Sequence, residues 1–298
     1  SIASDMSDPN DPGAALGQRV VWTDSPSGPW PGQTFIMNGN QQSTDKGFLA
    51  ADNTSSPPSP HLGRLYSLWS RPNPGGGLYF RYSLAEDRGA FWYPLPDPIA
   101  LRLSGSTWGG VISVAIAPST LGHVYVAWPN SATLPTPPGT MHFKRSDDGG
   151  QSFTLSAVEI TNYPGGSLAE RSAVGLNTGR NANSIPSMAA DDLGNIYVAW
   201  CQKRQPVDGG PGPDTQIYVS QSSTNGDSWG APVRITASAA NQFLPWIAWD
   251  NEAKALAAVY LDDRRDPNVA DVYLAVSYNR GASFVELQIS DLPGTGDV

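Results

Sequence analysis

Ser146-Asp147-Asp148-Gly149-Gly150-Gln151-Ser152-Phe153 is the stretch on which the reading of this chain turns. A serine, an acid two residues on, a glycine pair, a second hydroxyl and an aromatic ring describe a tight connection between two strands. The acid accepts backbone N–H bonds inside the hairpin, glycine takes a φ that other residues resist, and the ring packs between sheets. Two further copies carry single departures: Ser222 to Trp229, with Thr224 in the acid position, and Ser277 to Phe284, with Asn279 there. The defining residues are Ser146, Asp148, Gly150 and Phe153, then Ser222, Gly226 and Trp229, then Ser277, Asn279, Gly281 and Phe284. A degenerate copy runs from Ser83 to Trp92. Chemistry of this kind is structural rather than catalytic.

Working outward, each turn sits in a larger repeat. The segment Gly194-Asn195-Ile196-Tyr197-Val198-Ala199-Trp200 recurs as Gly122-His123-Val124-Tyr125-Val126-Ala127-Trp128 and as Gly63-Arg64-Leu65-Tyr66-Ser67-Leu68-Trp69. Weaker copies end at Trp22 and Tyr260. A short apolar strand precedes each, closed by a turn such as Asp191-Asp192-Leu193-Gly194; a third and a fourth strand follow, as in Gln216 to Gln221 and Ala231 to Thr236. Four antiparallel strands per module make the blade of a β-propeller. The expectation is an all-β chain, one propeller domain over 1–298, with five blades and a sixth left open. Their spans are 1–43 joined by 291–298, then 44–103, 104–165, 166–238 and 239–290. The first and last blades then dock, closing the ring and bringing the chain ends together.

Composition agrees: 31 Gly, 27 Pro, 10 Trp and 11 Tyr are turn formers and strand-favouring rings. A net charge of −9 repels a phosphate backbone, which sets nucleic acid aside as a partner. No apolar run approaches the ~20 residues that span a bilayer. The polar start fits a chain left after export, so the expected location is secreted, extracellular or periplasmic. Cys201, the one cysteine, lies in a strand and is expected to be packed and inert.

The turns and the Ile185-Pro186-Ser187-Met188-Ala189-Ala190 to Trp200 module resemble the Asp-box, or bacterial neuraminidase, repeats of the sialidase-like superfamily. The resemblance covers about Asp45 to Ser290. It implies a ligand site on the axis, at the face opposite the Asp-boxes, and glycan binding or exo-sialidase hydrolysis there. Catalytic sialidases carry a Phe/Tyr-Arg-Ile-Pro motif that begins a three-arginine carboxylate clamp, and this chain has no such tetrapeptide. Activity is therefore left open, with a non-catalytic interaction propeller, one subunit of an assembly, as the alternative.

Strand alternation puts the loops between strands two and three on the same face as the loops between blades, both opposite the Asp-boxes. That rule selects Asp45, Glu170 and Asp263 as candidate catalytic carboxylates. It selects Arg71, Arg180, Arg204, Arg264 and Arg265 as candidate binders of a glycan or acidic sugar, since a guanidinium reads a carboxylate with two hydrogen bonds. The run Asp262 to Asp266 reads equally as an ion-paired loop. His61, His123 and His142 have no ligand spacing, so no metal site is assigned. Asp5, Asp8 and Asp11 offer oxygens of the type Ca2+ takes, without the rest of a calcium loop. No cofactor is expected.

Overall fold

The computed structural model describes residues 2–6, 17–22, 32–35, 45–71, 77–87, 89–94, 101–104, 109–130, 140–162, 172–173, 181–182, 185–203, 214–236, 238–266 and 269–290. Apart from a short 3-10 turn at Pro118–Thr120, every regular element among them is a β-strand. A three-stranded antiparallel sheet contains β1 (Ile2–Met6), β2 (Gly17–Trp22) and β3 (Gly32–Phe35). Four-stranded sheets follow. The first contains β4 (Asp45–Ala51), β5 (Leu65–Arg71), β6 (Gly77–Ser83) and β7 (Leu101–Ser104); the second contains β8 (Val111–Val114), β9 (Val124–Asn130), β10 (Thr140–Ser146) and β11 (Val158–Asn162). After the short ladder of β12 (Ser172–Ala173) and β13 (Asn181–Ala182), the third contains β14 (Ser187–Ala190), β15 (Ile196–Lys203), β16 (Thr215–Ser222) and β17 (Val233–Arg234). The fourth contains β18 (Gln242–Asp250), β19 (Ala255–Asp266), β20 (Val269–Ser277) and β21 (Val285–Gln288). Strand order follows the chain in each. Four four-stranded sheets are thus seen where five blades were expected; β1–β3 stand in the segment of the first blade, and 291–298 lie outside the described residues.

The chain divides into two compact units, Ser1–Trp128 with Lys144–Ser156 and Pro129–Phe143 with Ala157–Val298. In the first, Tyr66, Leu68, Trp69 and Phe80 are fully buried. In the second, one core joins the third and fourth four-stranded sheets: Tyr197, Ile217, Val219 and Ile235 of the one pack with Ile247, Leu256, Ala258, Tyr260 and Tyr273 of the other. The repeat anchors Trp69, Trp128, Trp200 and Tyr260 are all buried, and the Trp22 side chain lies outside the described residues.

The serine-centred turns share one hydrogen-bond pattern. Gly150 N donates to Ser146 Oγ at 2.8 Å, Gly226 N to Ser222 Oγ at 2.9 Å and Gly281 N to Ser277 Oγ at 2.8 Å. Ser152 N donates to Asp148 Oδ1, Ser228 N to Thr224 Oγ1 and Ser283 N to Asn279 Oδ1, each at 2.9 Å. Acid, hydroxyl and amide therefore serve alike, which explains why the motif tolerates Thr224 and Asn279. Each glycine has φ near +90°, the region that side chains resist. The degenerate copy keeps the core of the pattern across a longer turn: Gly89 N donates to Ser83 Oγ at 3.0 Å, and Trp92 Nε1 to Gly89 O at 2.9 Å. Trp229 Nε1 donates to Gly226 O in the same way at 3.2 Å.

The fourth sheet is apolar on both faces. Val259 opposes Trp246 and Leu274, which in turn opposes Leu287, while Tyr260 and Tyr273 oppose each other on the core side. A strand apolar on both faces is built to be sandwiched, unlike the half-polar strands of a solvent-facing sheet.

Candidate functional site

The end of the second unit remote from the serine-centred turns carries a dense run of charge. β19 ends in Asp262-Asp263-Arg264-Arg265-Asp266, where Asp262 pairs with Asp271 and Asp266 with Val269, and the register breaks between them. That irregularity turns alternate side chains into different surroundings.

Arg264 is the hub. Its Nη2 donates to Asp262 Oδ2 at 2.6 Å and to Glu286 Oε1 at 2.7 Å, and its guanidinium lies 4.1 Å above the centre of the Tyr273 ring. Arg264 N donates to Asp262 Oδ1 at 2.7 Å, so both oxygens of a fully buried carboxylate are used. Tyr260 donates its hydroxyl to Glu286 Oε1. Burial works against the Arg264 charge, but the two carboxylates outweigh it and raise its pKa. Burial likewise works to raise the Glu286 carboxyl, and hydrogen bonds from Arg264, Tyr260 and Thr236 together hold it below the usual range. Burial, and then the bond to Glu286, pushes the Tyr260 phenol well up, so it stays protonated and donates.

Around this hub the other groups are paired in turn. Asp263 accepts from Asn241 N and from Asn241 Nδ2, both at 2.8 Å, so its carboxylate ties the connection before β18 to β19. Arg265, 43% exposed at its side chain, holds Nε 3.3 Å from Asp271 Oδ2. Arg234 Nε donates to Gln216 Oε1 at 2.8 Å, and Gln216 Nε2 to Asp214 Oδ2 at 2.9 Å. Gln242, fully buried, stands opposite Asp262 in the ladder, and its side-chain amide has no hydrogen-bond partner among the described residues. Among the described side chains around the hub, Asp214, Asp262, Asp263, Asp266, Asp271 and Glu286 outnumber Arg234, Arg264 and Arg265, so their balance is acidic.

Of the residues expected from sequence, Asp263, Arg264 and Arg265 come together here. Asp45 opens β4 opposite Ser70, and Arg71 closes β5 opposite Gly77; their side chains lie outside the described residues, as do Glu170, Arg180 and Arg204 altogether. Glu286, Tyr273 and Asp271 were not anticipated. The available signal for Glu286 was alternation, since it and Gln288 are the polar members of Val285-Glu286-Leu287-Gln288. Among the described residues no group of three or more His, Cys, Asp or Glu is placed to hold a metal ion, and Asp8 and Asp11 lie outside them. No helix among the described residues is long and apolar enough to cross a membrane.

No protein-family model matches the sequence. None of the curated proteins matches it. Solved structures do match. An α-L-arabinofuranosidase of Fusarium graminearum, in complex with an iminosugar inhibitor, is similar over 83% of this chain and 66% of its own, at 14% identity and a TM-score of 0.53. An α-L-arabinanase of Penicillium chrysogenum complexed with arabinobiose gives 13% identity over the same shares, with a TM-score of 0.54. An N-acetylgalactosamine deacetylase from F. plautii, in complex with blood group B trisaccharide, gives 12% identity over 87% of this chain and 71% of its own, with a TM-score of 0.51. The chain thus spans 66% of the length of the first two. At these identities the likeness is one of fold: the sheets of this chain are those of a β-propeller, the architecture on which the arabinofuranosidase and the arabinanase are also built.

Proposed function

We propose that this chain is a glycan-binding propeller that recognises a neutral sugar at the end of its sheets remote from the serine-centred turns, which we read as Asp-boxes. The observation that carries the reading is the commitment of Arg264. A clamp for an acidic sugar needs a guanidinium free to pair with the incoming carboxylate, and Arg264 already binds two carboxylates within an acidic surround. Hydroxyl-bearing ligands suit such a surface, because carboxylates and amides accept and donate to hydroxyls without requiring a charge in return. Sugar-bound propellers among the similar folds support glycans as the class of ligand.

Hydrolysis needs two carboxyl groups with different protonation states and access to the glycosidic bond. Asp262, Asp263 and Glu286 each have a fixed structural partner, which favours binding as the role of this end. The test is a glycan array probed with the intact chain, run beside fluorogenic α-L-arabinofuranoside and sialoside hydrolysis. Retention of neutral glycans, weakened by Arg265→Ala, supports the reading. Retention of sialosides alone, or of nothing, overturns it, and turnover of either substrate replaces binding by catalysis.

A further inference from the structure

At the opposite end of the same two sheets, beneath the serine-centred turns, a cavity of about 500 Å³ opens between them. Its size falls within the ~300–1,000 Å³ of small-ligand pockets. Its origin can be read from the repeat. Three residues before the motif serine, β6 carries Phe80 and β10 carries Phe143. Those rings press on the glycine of the next turn: a methyl group on Gly150 would come within 2.8 Å of Phe80 Cζ, and one on Gly226 would overlap the Phe143 ring. In β16 the same position is Val219, and a methyl group on Gly281 would meet only ordinary contacts at 3.5 Å and beyond. A valine where the other repeats have phenylalanine leaves the hollow, and Val219 and Gly281 line it.

The rest of the lining is amphipathic and uncharged. Trp229 supplies a ring, and Gln221, Ser223 and Ser228 supply an amide and two hydroxyls. Trp229 is held in place before any ligand arrives, by its Nε1 bond to Gly226 O and by an edge contact with Phe143 at 5.2 Å between ring centres. Pre-organisation of this kind lowers the entropy lost on binding. With no charged side chain in the lining, phosphates and carboxylates have nothing to pair with. A sugar ring presents an apolar C–H face to an aromatic surface and hydroxyls at its rim.

We propose that this cavity is a second carbohydrate site, taking a neutral mono- or disaccharide with its apolar face on Trp229 and its hydroxyls on Gln221, Ser223 and Ser228. It does not depend on the site at the Arg264 end.

Isothermal titration calorimetry of the intact chain with arabinobiose and with lactose tests it. Val219→Phe rebuilds the packing of the other two repeats and fills the hollow. Ser223→Trp places bulk at the exposed rim without touching the core. The expected result is saturable binding of at least one of the two sugars, weakened tenfold or more by each variant, with the thermal midpoint of Val219→Phe equal to or above that of the parent. Should Val219→Phe fail to fold, Ser223→Trp decides. Binding unchanged in the folded variants, or no binding of either sugar by the parent chain, overturns the proposal; a sugar held only at the Arg264 end survives both substitutions and so falls in the first of these outcomes.

Discussion

Asp148 shows what one motif residue contributes. Its carboxylate accepts from Ser146 Oγ at 2.7 Å, Ser152 N at 2.9 Å and Ser152 Oγ at 2.6 Å. Burial works to raise its pKa, and the bonds from Ser152 and Ser146 outweigh that and lower it. A carboxyl with a depressed folded pKa stabilises the fold above its unfolded value, and that contribution is lost as the pH falls through the folded one. Asp148→Ala is therefore expected to cost about 1–2 kcal/mol at pH 7 and less at pH 3, by urea denaturation. Asp148→Asn keeps most of the stability, as Asn279 does at the equivalent position. Cys201 gives a second residue-scale expectation. Burial pushes its thiol up to about 12, and Sγ donates to Gln242 O at 3.0 Å. Thiolate is then scarce at pH 8, so a disulfide reagent should label the folded chain at least a hundredfold more slowly than the urea-unfolded one. Equal rates would show that the strand opens readily.

At the scale of the element, the turns and the end of β19 respond differently to substitution. Gly226→Ala forces a side chain into φ +88° and into the Phe143 ring, whereas Gly281→Ala meets the backbone penalty with ordinary contacts. Roughly 1–2 kcal/mol is expected for Gly281→Ala from the left-handed backbone alone, and more for Gly226→Ala. Comparing urea midpoints checks this, and equal losses would remove the argument that the fourth sheet is looser beneath its turn. At the other end, Arg264→Met strands the fully buried Asp262 without its partner, at a cost of about 3–5 kcal/mol. The pH signature follows from Glu286. Its folded pKa is depressed, so the stability it contributes above the ordinary glutamate range is lost on acidification. Without Arg264, the foremost of the hydrogen-bond donors that lower it, much of that depression goes. Stability should thus fall less between pH 7 and pH 4 in Arg264→Met than in the parent, measured by the same urea titration.

On the scale of the whole molecule, the charge of −9 predicts that a polyanion will not hold the chain: heparin resin at about 0.15 M salt should let it pass. Retention would point to a basic surface that the total conceals. The strands and their turns were legible in the sequence because both depend on local chemistry. Alternating apolar residues form strands wherever they stand, and Ser-x-Asp-x-Gly closes a hairpin from within eight residues. The Arg264 hub was only half legible. Adjacent charges in Asp262 to Asp266 announced a polar strand end, but Glu286 and Thr236 meet Arg264, and Tyr260 meets Glu286, through strand register and sheet packing, which no local pattern encodes. Sequence offered Arg264 and Arg265 as equivalent binders, and packing made one a partly buried hub paired with two carboxylates and left the other half-exposed beside Asp271. The sequence by itself determined the repeating four-stranded unit and its serine-centred turns, since hydrogen bonds between near neighbours fix them. Only the tertiary structure decided which charges are consumed and where a hollow remains, because those depend on the volume and charge that a distant strand brings against each side chain.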